Sequence, residues 1–163
     1  MKKLIAIILL TAVSSVTYGV VPATRICLDV WEYSQDADVH IYDTEYDSMG
    51  LETLKEIKVD HKAMGRKYAP GFSFKSRKFD CDDHAFTFKT IVSYYGLMMG
   101  KNFQCGVIMV KQVKAFGGVP AGGLHALNII LIDGELWVLE PQTYKVTPLV
   151  KYPNRSKITG LIL

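Results

Sequence analysis

The order of the predicted elements favours an α+β protein, in which helices come first and an antiparallel sheet follows. Two helical segments lie before residue 96, and three strand-like apolar segments lie between Gln104 and Glu140. Asp133-Gly134, between the last two of these segments, is a strong signal for a tight β-hairpin turn. We therefore expect a long helix packed on a small antiparallel sheet.

The first predicted helix covers about Gly50 to Val59, where apolar residues recur at helical spacing. The following stretch, 62–78, is rich in lysine and arginine and contains glycine and proline, so we predict a surface loop. Its positive charge suits either an anionic ligand or plain contact with solvent, and both interpretations stay open.

A second and stronger helix is predicted from about Asp82 to Tyr95. Its apolar residues recur at helical spacing and form a stripe suited to burial. Asp80 or Asp82 can cap its first turn, and Gly96 can end it. Cys81 then stands at the start of this helix.

Three strands are predicted, over residues 104–113, 124–132 and 135–140. With a two-residue turn, Ile132 faces Glu135, and continuing this pairing places Leu127 opposite Glu140. Because strand side chains alternate between faces, His125 and Glu140 then lie diagonally on one face, about 7 Å apart between backbones. That separation allows a carboxylate to reach an imidazole.

The N-terminus has the pattern of a secretory signal peptide. Lys2 and Lys3 precede an almost unbroken apolar run over 4–13, which is well short of the roughly 18 to 20 residues that a transmembrane helix needs. We predict a signal peptide over 1–19, a single domain over 20–163, and export to a secreted or periplasmic location. An uncleaved N-terminal anchor is the alternative.

The composition argues against nucleic acid as a partner. The chain has 19 basic and 16 acidic residues and a net charge of +3, which falls to about +1 once Lys2 and Lys3 leave with the signal peptide. A nearly neutral protein offers no electrostatic attraction to a polyanion. No permanent membrane anchor is expected either.

Three cysteines leave an odd thiol in an oxidising compartment. Cys27 and Cys105 lie in or beside apolar runs, and the sequence leaves open whether they form a disulfide or stay buried thiols. Cys81 is flanked by acids and is the cysteine most suited to a chemical role.

Cys81, His125 and Glu140 together have the residue types of a nucleophile, a base and an orienting acid. A helix N-terminus stabilises a thiolate through its dipole and its free N–H groups. His125 would take the thiol proton, Glu140 would fix the imidazole tautomer, and Gln142 is a candidate hydrogen-bond donor or orienting residue. Each residue alone is also common in a purely structural role.

The acids next to the thiol oppose a thiolate unless a cation offsets them. Asp82 and Asp83 carry the hard oxygen ligands that calcium prefers. We therefore name Asp82 and Asp83 as candidate calcium ligands, with an ordinary role at the start of the helix as the alternative.

The runs "FDCDDHAFTFK", "GLHALNIIL" and "LWVLEPQT" resemble the papain-like and transglutaminase-like cysteine peptidases, and most closely the agglutinin C-terminal domain of chimeric fungal lectins. The resemblance implies a nucleophile helix packed on a small antiparallel sheet. It also implies a triad of Cys81, His125 and Glu140, and calcium at Asp82 and Asp83. His84 departs from the family, which usually has Phe or Tyr there. No lectin module accompanies the motifs, so sugar binding is not carried over from the resemblance.

The function expected from residues and resemblance is an exported cysteine peptidase or amidase acting on a protein or peptide, with peptidoglycan peptides as one option. The rival enzymes are a transglutaminase-type acyl transferase and a cell-wall peptide amidase. The rival without catalysis is an exported binding or inhibitory module with the same fold.

Overall fold

The computed structural model of the chain describes residues 20–68 and 80–163. The predicted signal peptide, 1–19, and most of the predicted basic loop, 69–79, lie outside these described residues. Within the two described ranges, no helix is both long enough and apolar enough to cross a membrane.

Three α-helices and two short 3₁₀ turns are present in the described part of the chain. The helices are α1 (Ala23–Trp31), α2 (Leu51–Tyr68) and α3 (Cys81–Met99), and the 3₁₀ turns are Leu149–Lys151 and Arg155–Lys157. Both predicted helices exist, and both are longer than predicted.

Helix α2 continues nine residues beyond the predicted end. The prediction stopped short because the buried face of this helix is not purely apolar. Leu54, Ile57, His61 and Gly65 follow one another at helical spacing, and all four are buried. On this buried face the last large apolar side chain is Ile57, so a pattern of apolar residues does not predict that the face continues through His61 and Gly65. The predicted loop therefore begins seven residues too early, since 62–68 is helical.

Helix α3 does not end at Gly96. It ends at Gly100, which has φ +64° and suits the left-handed conformation that closes a helix. Gly96 instead lies buried inside the helix, where the backbone of Lys101 folds back over it and donates a 2.8 Å hydrogen bond to its carbonyl oxygen. A β-carbon on Gly96 would lie 2.6 Å from the Lys101 carbonyl oxygen.

Six strands form the main sheet and two form a small separate one. The separate pair is β1 (Val20–Pro22) with β3 (Glu45–Asp47), antiparallel. The main sheet contains β2 (Asp38–His40), β4 (Cys105–Lys111), β5 (Leu124–Ile132), β6 (Glu135–Glu140), β7 (Lys145–Pro148) and β8 (Ile158–Ile162). Its order is β2-β8-β4-β5-β6-β7, and β2 runs parallel to β8 while the other neighbours are antiparallel.

The predicted fold class is therefore wrong. We expected a papain-like or transglutaminase-like α+β arrangement, with a nucleophile helix on a small antiparallel sheet, whereas the described chain forms a mixed six-stranded sheet, a second sheet and three helices. The unpredicted strands β2, β7 and β8 are five residues or shorter. Such short strands carry too little alternation to be recognised locally. They form because neighbouring strands offer them backbone partners: β6 pairs with β7, β4 with β8, and β8 with β2.

The predicted hairpin register is confirmed. Ile132 faces Glu135, and pairing continues outward to Asn128 opposite Leu139. The ladder between these two strands ends there, one pair before the predicted pairing of Leu127 with Glu140. Asp133 and Gly134 both have positive φ, as a two-residue turn of this type requires. The bounds of β5 and β6 are also those predicted.

Hydrophobic clusters cover both faces of the sheet. One contains Ile26 of α1 with Leu127 and Ile129, and the other contains Phe88 of α3 with Ile130. Cys27 belongs to the first cluster and Cys105 to the second, and all three cysteines are free thiols.

Polar contacts fasten α3 to the sheet. The Asn128 side-chain amide donates to the carbonyl oxygens of Ala85 at 2.9 Å and Gly106 at 3.3 Å. Lys89 donates to the carbonyl oxygen of Cys105 at 2.8 Å. Because these bonds join the first half of α3 to β4 and β5, they fix the position of Cys81 relative to the strands.

Replacing Gly96 with Ala should lower the free energy of unfolding by about 1–3 kcal/mol, because the new β-carbon meets backbone rather than a movable side chain. Gly160→Ala is the matched control, since its β-carbon would meet its neighbours at ordinary distances of 3.7–3.8 Å. Urea unfolding followed by circular dichroism measures both. Equal midpoints for the two variants would contradict the packing role of Gly96.

Candidate functional site

The structure brings the three predicted residues together. Cys81 is the first residue of α3, His125 is the second residue of β5, and Glu140 is the last residue of β6. The Nε2 atom of His125 lies 2.5 Å from the Oε2 atom of Glu140. The thiol of Cys81 forms a hydrogen bond with the His125 side chain. The imidazole therefore joins the thiol to the carboxylate.

Burial differs sharply among these three side chains. Glu140 is fully buried and His125 is 4% exposed, whereas Cys81 is partly exposed. A ligand arriving from solvent can therefore reach the thiol, while the imidazole–carboxylate pair stays shielded behind it.

His125 is held in its protonated form well above neutral pH. Burial on its own lowers the pKa of the imidazole, but its hydrogen bonds to Cys81 and Glu140, together with their charges, outweigh this effect and raise the pKa to about 9. An imidazolium beside a thiol is the arrangement that favours a reactive thiolate.

The same pair links stability to pH. The imidazole binds its proton more tightly in the folded chain than at its ordinary pKa of 6.5. The resulting stabilisation is fully present below about pH 6.5 and is lost as the pH rises toward about 9.

Both oxygens of the Glu140 carboxylate are held. Oε2 contacts His125, and Oε1 accepts a 3.0 Å hydrogen bond from the backbone N–H of Gln142. Gln142 was predicted to be a hydrogen-bond donor or an orienting residue, and its observed contact with Glu140 is made by its backbone N–H. Its Nε2 atom is buried and has no hydrogen-bond partner among the described residues.

A glycine turn makes room for the carboxylate. Phe116 and Val119 close a tight turn through two backbone hydrogen bonds, and Gly117 within it has φ +60°. A β-carbon on Gly117 would lie 2.9 Å from both Cβ and Cγ of Glu140. The contact between this turn and Glu140 was not predicted from the sequence.

The acids beside the thiol are arranged differently from the prediction. Asp83 accepts a 3.2 Å hydrogen bond from the backbone N–H of Asp80 and so caps the helix. Asp80 and Asp82 face one another, and a hydrogen bond between their carboxyl groups raises the pKa of Asp80. The ligand atoms of Asp80, Cys81 and Asp82 lie within 4.8 Å of one another. Of the predicted calcium ligands, Asp82 therefore lies beside the thiol, and Asp83 serves as a cap.

Three further polar residues lie close to the site, and their contacts there were not predicted from the sequence. His84, one turn after Cys81, is buried, which lowers its pKa, while the charge of Glu140 acts in the opposite direction. His61 of α2 and Tyr144 lie 2.8 Å apart, from Nδ1 to the hydroxyl oxygen. The sequence signal for His61 is its position four residues after Ile57, which places both side chains on the same buried face of α2.

No family model and no curated protein matches the chain. Solved structures do match. A "PSL1a-E64 complex" is similar with a TM-score of 0.62 and 20% identity, over 88% of this chain and 50% of the other. Polyporus squamosus lectin bound to the human-type influenza-binding epitope Neu5Aca2-6Galb1-4GlcNAc is similar with a TM-score of 0.60 and 19% identity, over 88% and 49%.

The chain thus spans about half the length of the structures that it matches, and at this level of identity the likeness concerns the fold. It contradicts the identification as a papain-like or transglutaminase-like cysteine peptidase, because the matched structures belong to a lectin. The same finding contradicts the expected peptidase, amidase or acyl-transferase activity. It also contradicts the expected protein, peptide or peptidoglycan substrate. The motifs predicted local contacts, and local contacts do not identify a family.

The contact between Gly117 and Glu140 gives a direct prediction. Gly117→Ala should push the carboxylate away from His125, so the pKa of His125 should fall from about 9 toward 6.5, as it should in Glu140→Gln. NMR titration of the imidazole measures the pKa in each variant.

Gly118→Ala is the matched control. It imposes a similar backbone strain, because Gly118 has φ +84°, but its β-carbon would have only an ordinary 3.9 Å contact with Thr143. An unchanged pKa of His125 in Gly117→Ala would show that Gly117 does not position Glu140.

Proposed function

We propose that the chain acts through Cys81 as an activated thiol nucleophile, which forms a covalent bond with an electrophilic carbon of its ligand. His125 is the proposed base and Glu140 the residue that orients it. One observation carries the proposal: a buried imidazole contacts both a partly exposed thiol and a buried carboxylate. The proposed activity is covalent bond formation, and peptide or amide cleavage is not part of it.

The proposed step balances simply. In the proposed resting pair the proton shared by the two groups lies on His125, as its raised pKa favours, and the sulfur electron pair forms a bond to the ligand carbon. At a saturated carbon, a leaving group departs with the electrons of the broken bond. At an unsaturated carbon, the electrons move onto the adjacent atom, which can take the proton back from His125. Glu140 stabilises the imidazolium in both cases.

Gln142 is the proposed donor to the bound ligand. Its side-chain Nε2 is buried without a hydrogen-bond partner among the described residues, and its backbone is tied to the Glu140 carboxylate. An amide donor fixed in this way suits a ligand oxygen that becomes more negative as the bond to sulfur forms.

Calcium beside the thiol also remains a proposal. Asp82 is one of the two predicted calcium ligands. It also faces Asp80, so these two carboxyl groups lie close to each other and to the Cys81 thiol. A divalent cation there would offset the negative charge that two carboxylates place next to a thiolate. Export by way of segment 1–19 likewise stays a prediction, which N-terminal sequencing of the mature protein would test.

Iodoacetamide should alkylate Cys81 rapidly at pH 7, with iodide as the leaving group. His125→Ala should slow this reaction by about 100-fold, the lower end of the range for a positioned base. Mass spectrometry of timed samples assigns each alkylated site.

Cys27 and Cys105 are internal controls for this measurement. Burial raises the pKa of the Cys27 thiol, and burial raises the pKa of the Cys105 thiol to about 12, so both should label slowly in the folded protein. Labelling of Cys81 at the rate of an ordinary thiol, unaffected by His125→Ala, would end the proposal. A rate that changes with added calcium, and no longer changes in Asp82→Asn, would support the metal site.

Glycan binding is a second candidate function. The observation that favours it is the similarity to Polyporus squamosus lectin, whose structure holds a sialylated epitope. Because the chain spans about half of that lectin, glycan binding in this chain depends on whether the matched half contributes to it.

Calorimetric titration with Neu5Aca2-6Galb1-4GlcNAc tests this second function. Saturable heat with the sialylated glycan, and none with the matched Galb1-4GlcNAc unit, is the expected result for a lectin of this specificity. The absence of heat with both glycans would remove glycan binding and would leave the thiol proposal untouched.

A further inference from the structure

The turn after β6 holds the Glu140 carboxylate. Residues 140–144 form a tight turn in which the backbone N–H of Tyr144 donates to the carbonyl oxygen of Glu140 at 2.7 Å. Within the same turn, the backbone N–H of Gln142 donates to the Glu140 carboxylate at 3.0 Å. The conformation of this turn therefore determines where the carboxylate points.

Tyr144 adopts an unusual conformation to close the turn. Its φ is +60°, in the left-handed region that a residue with a large side chain rarely occupies. Such a conformation persists only where surrounding contacts enforce it, and functional sites are where it concentrates. Contacts of Tyr144 are therefore expected to enforce its left-handed conformation.

His61 supplies such a contact. Its Nδ1 atom lies 2.8 Å from the Tyr144 hydroxyl oxygen, and the two rings meet edge to face with centroids 5.6 Å apart. Burial, followed by the charge of His84, lowers the pKa of His61 to about 4, so its ring is neutral at neutral pH. A neutral imidazole can share a hydrogen bond with the Tyr144 hydroxyl, and its tautomer determines which of the two groups donates.

His61 also connects the turn to the helix that carries the thiol. The His61 side chain is fully buried on α2, and its ring packs edge to face on Phe88 of α3, with centroids 5.2 Å apart. The hydrogen bond between His61 and Tyr144 therefore joins the turn that holds the carboxylate to the two helices, one of which begins at Cys81.

We propose that His61 and Tyr144 are positioning residues for Glu140: their hydrogen bond holds the 140–144 turn so that the carboxylate meets His125 while α3 presents Cys81. This assignment rests on the proposed function of Cys81. Neither residue contacts the ligand in this mechanism, and both act through the turn.

Tyr144→Phe tests the assignment, because it removes the hydroxyl and keeps the ring. We expect alkylation of Cys81 by iodoacetamide to slow about three- to tenfold, the factor that loss of one hydrogen bond gives. The pKa of His125, measured by NMR titration, should fall below its value of about 9 in the same variant. A purely structural role for Tyr144 would lower stability without moving this pKa. His61→Asn, which keeps a hydrogen-bonding atom near the Nδ1 position, should retain more of the rate than His61→Ala.

Tyr95→Phe is the matched control. The Tyr95 hydroxyl donates a 2.6 Å hydrogen bond to Asp60, the residue before His61, and so also joins α3 to α2. Its removal should leave the His125 pKa and the Cys81 rate unchanged.

The outcomes separate the two proposals. A wild-type rate and an unchanged His125 pKa in Tyr144→Phe would overturn the positioning role while the thiol proposal stands. Slow, His125-independent labelling of Cys81 in the wild type would overturn the thiol proposal. In that case a lowered His125 pKa in Tyr144→Phe would still support the action of Tyr144 on the carboxylate.

Discussion

The buried contact between His125 and Glu140 is the constraint on which the rest of the site depends. Both groups are almost completely removed from water, and a single charge in such a place would be strongly unfavourable. The pair is stable because each carboxylate oxygen has a donor and the imidazole has a partner on either side. The hairpin register, the space at Gly117 and the turn at 140–144 each maintain that arrangement.

The thiol depends on this pair because its own surroundings work against it. Cys81 opens α3 beside Asp80 and Asp82, whose negative charge opposes a thiolate, although the helix N-terminus favours one. The imidazolium of His125 offsets the acids, and its positive charge is maintained by Glu140. Under the proposed function, the reactivity of the thiol depends on a carboxylate that is buried behind the imidazole, so small movements of that carboxylate are expected to change it.

The parts that the sequence predicted are those encoded by local signals. The Asp133-Gly134 turn determines the register of its two strands, and register plus alternation was enough to place His125 near Glu140. The edge strand β2 depends on tertiary pairing, since β2 and β8 are both short and their paired residues, such as Asp38 and Gly160, lie 122 positions apart in the sequence. The contact between His61 and Tyr144 was not predicted for a related reason: it joins a helix to a turn, and neither element signals the other.

Fold and site carry different kinds of information about function here. The likeness to a lectin concerns the path of the backbone over half of that protein, and one fold supports many activities. The thiol, imidazole and carboxylate are specific side chains, and two of them, the imidazole and the carboxylate, are buried. Burying this pair has a cost in stability, because apolar residues of similar volume often stabilise a core at least as well as a buried ion pair. A strained, non-glycine turn at Tyr144 adds to that cost. Two unfavourable features that converge on one carboxylate are better explained by a role in chemistry than by the needs of the fold.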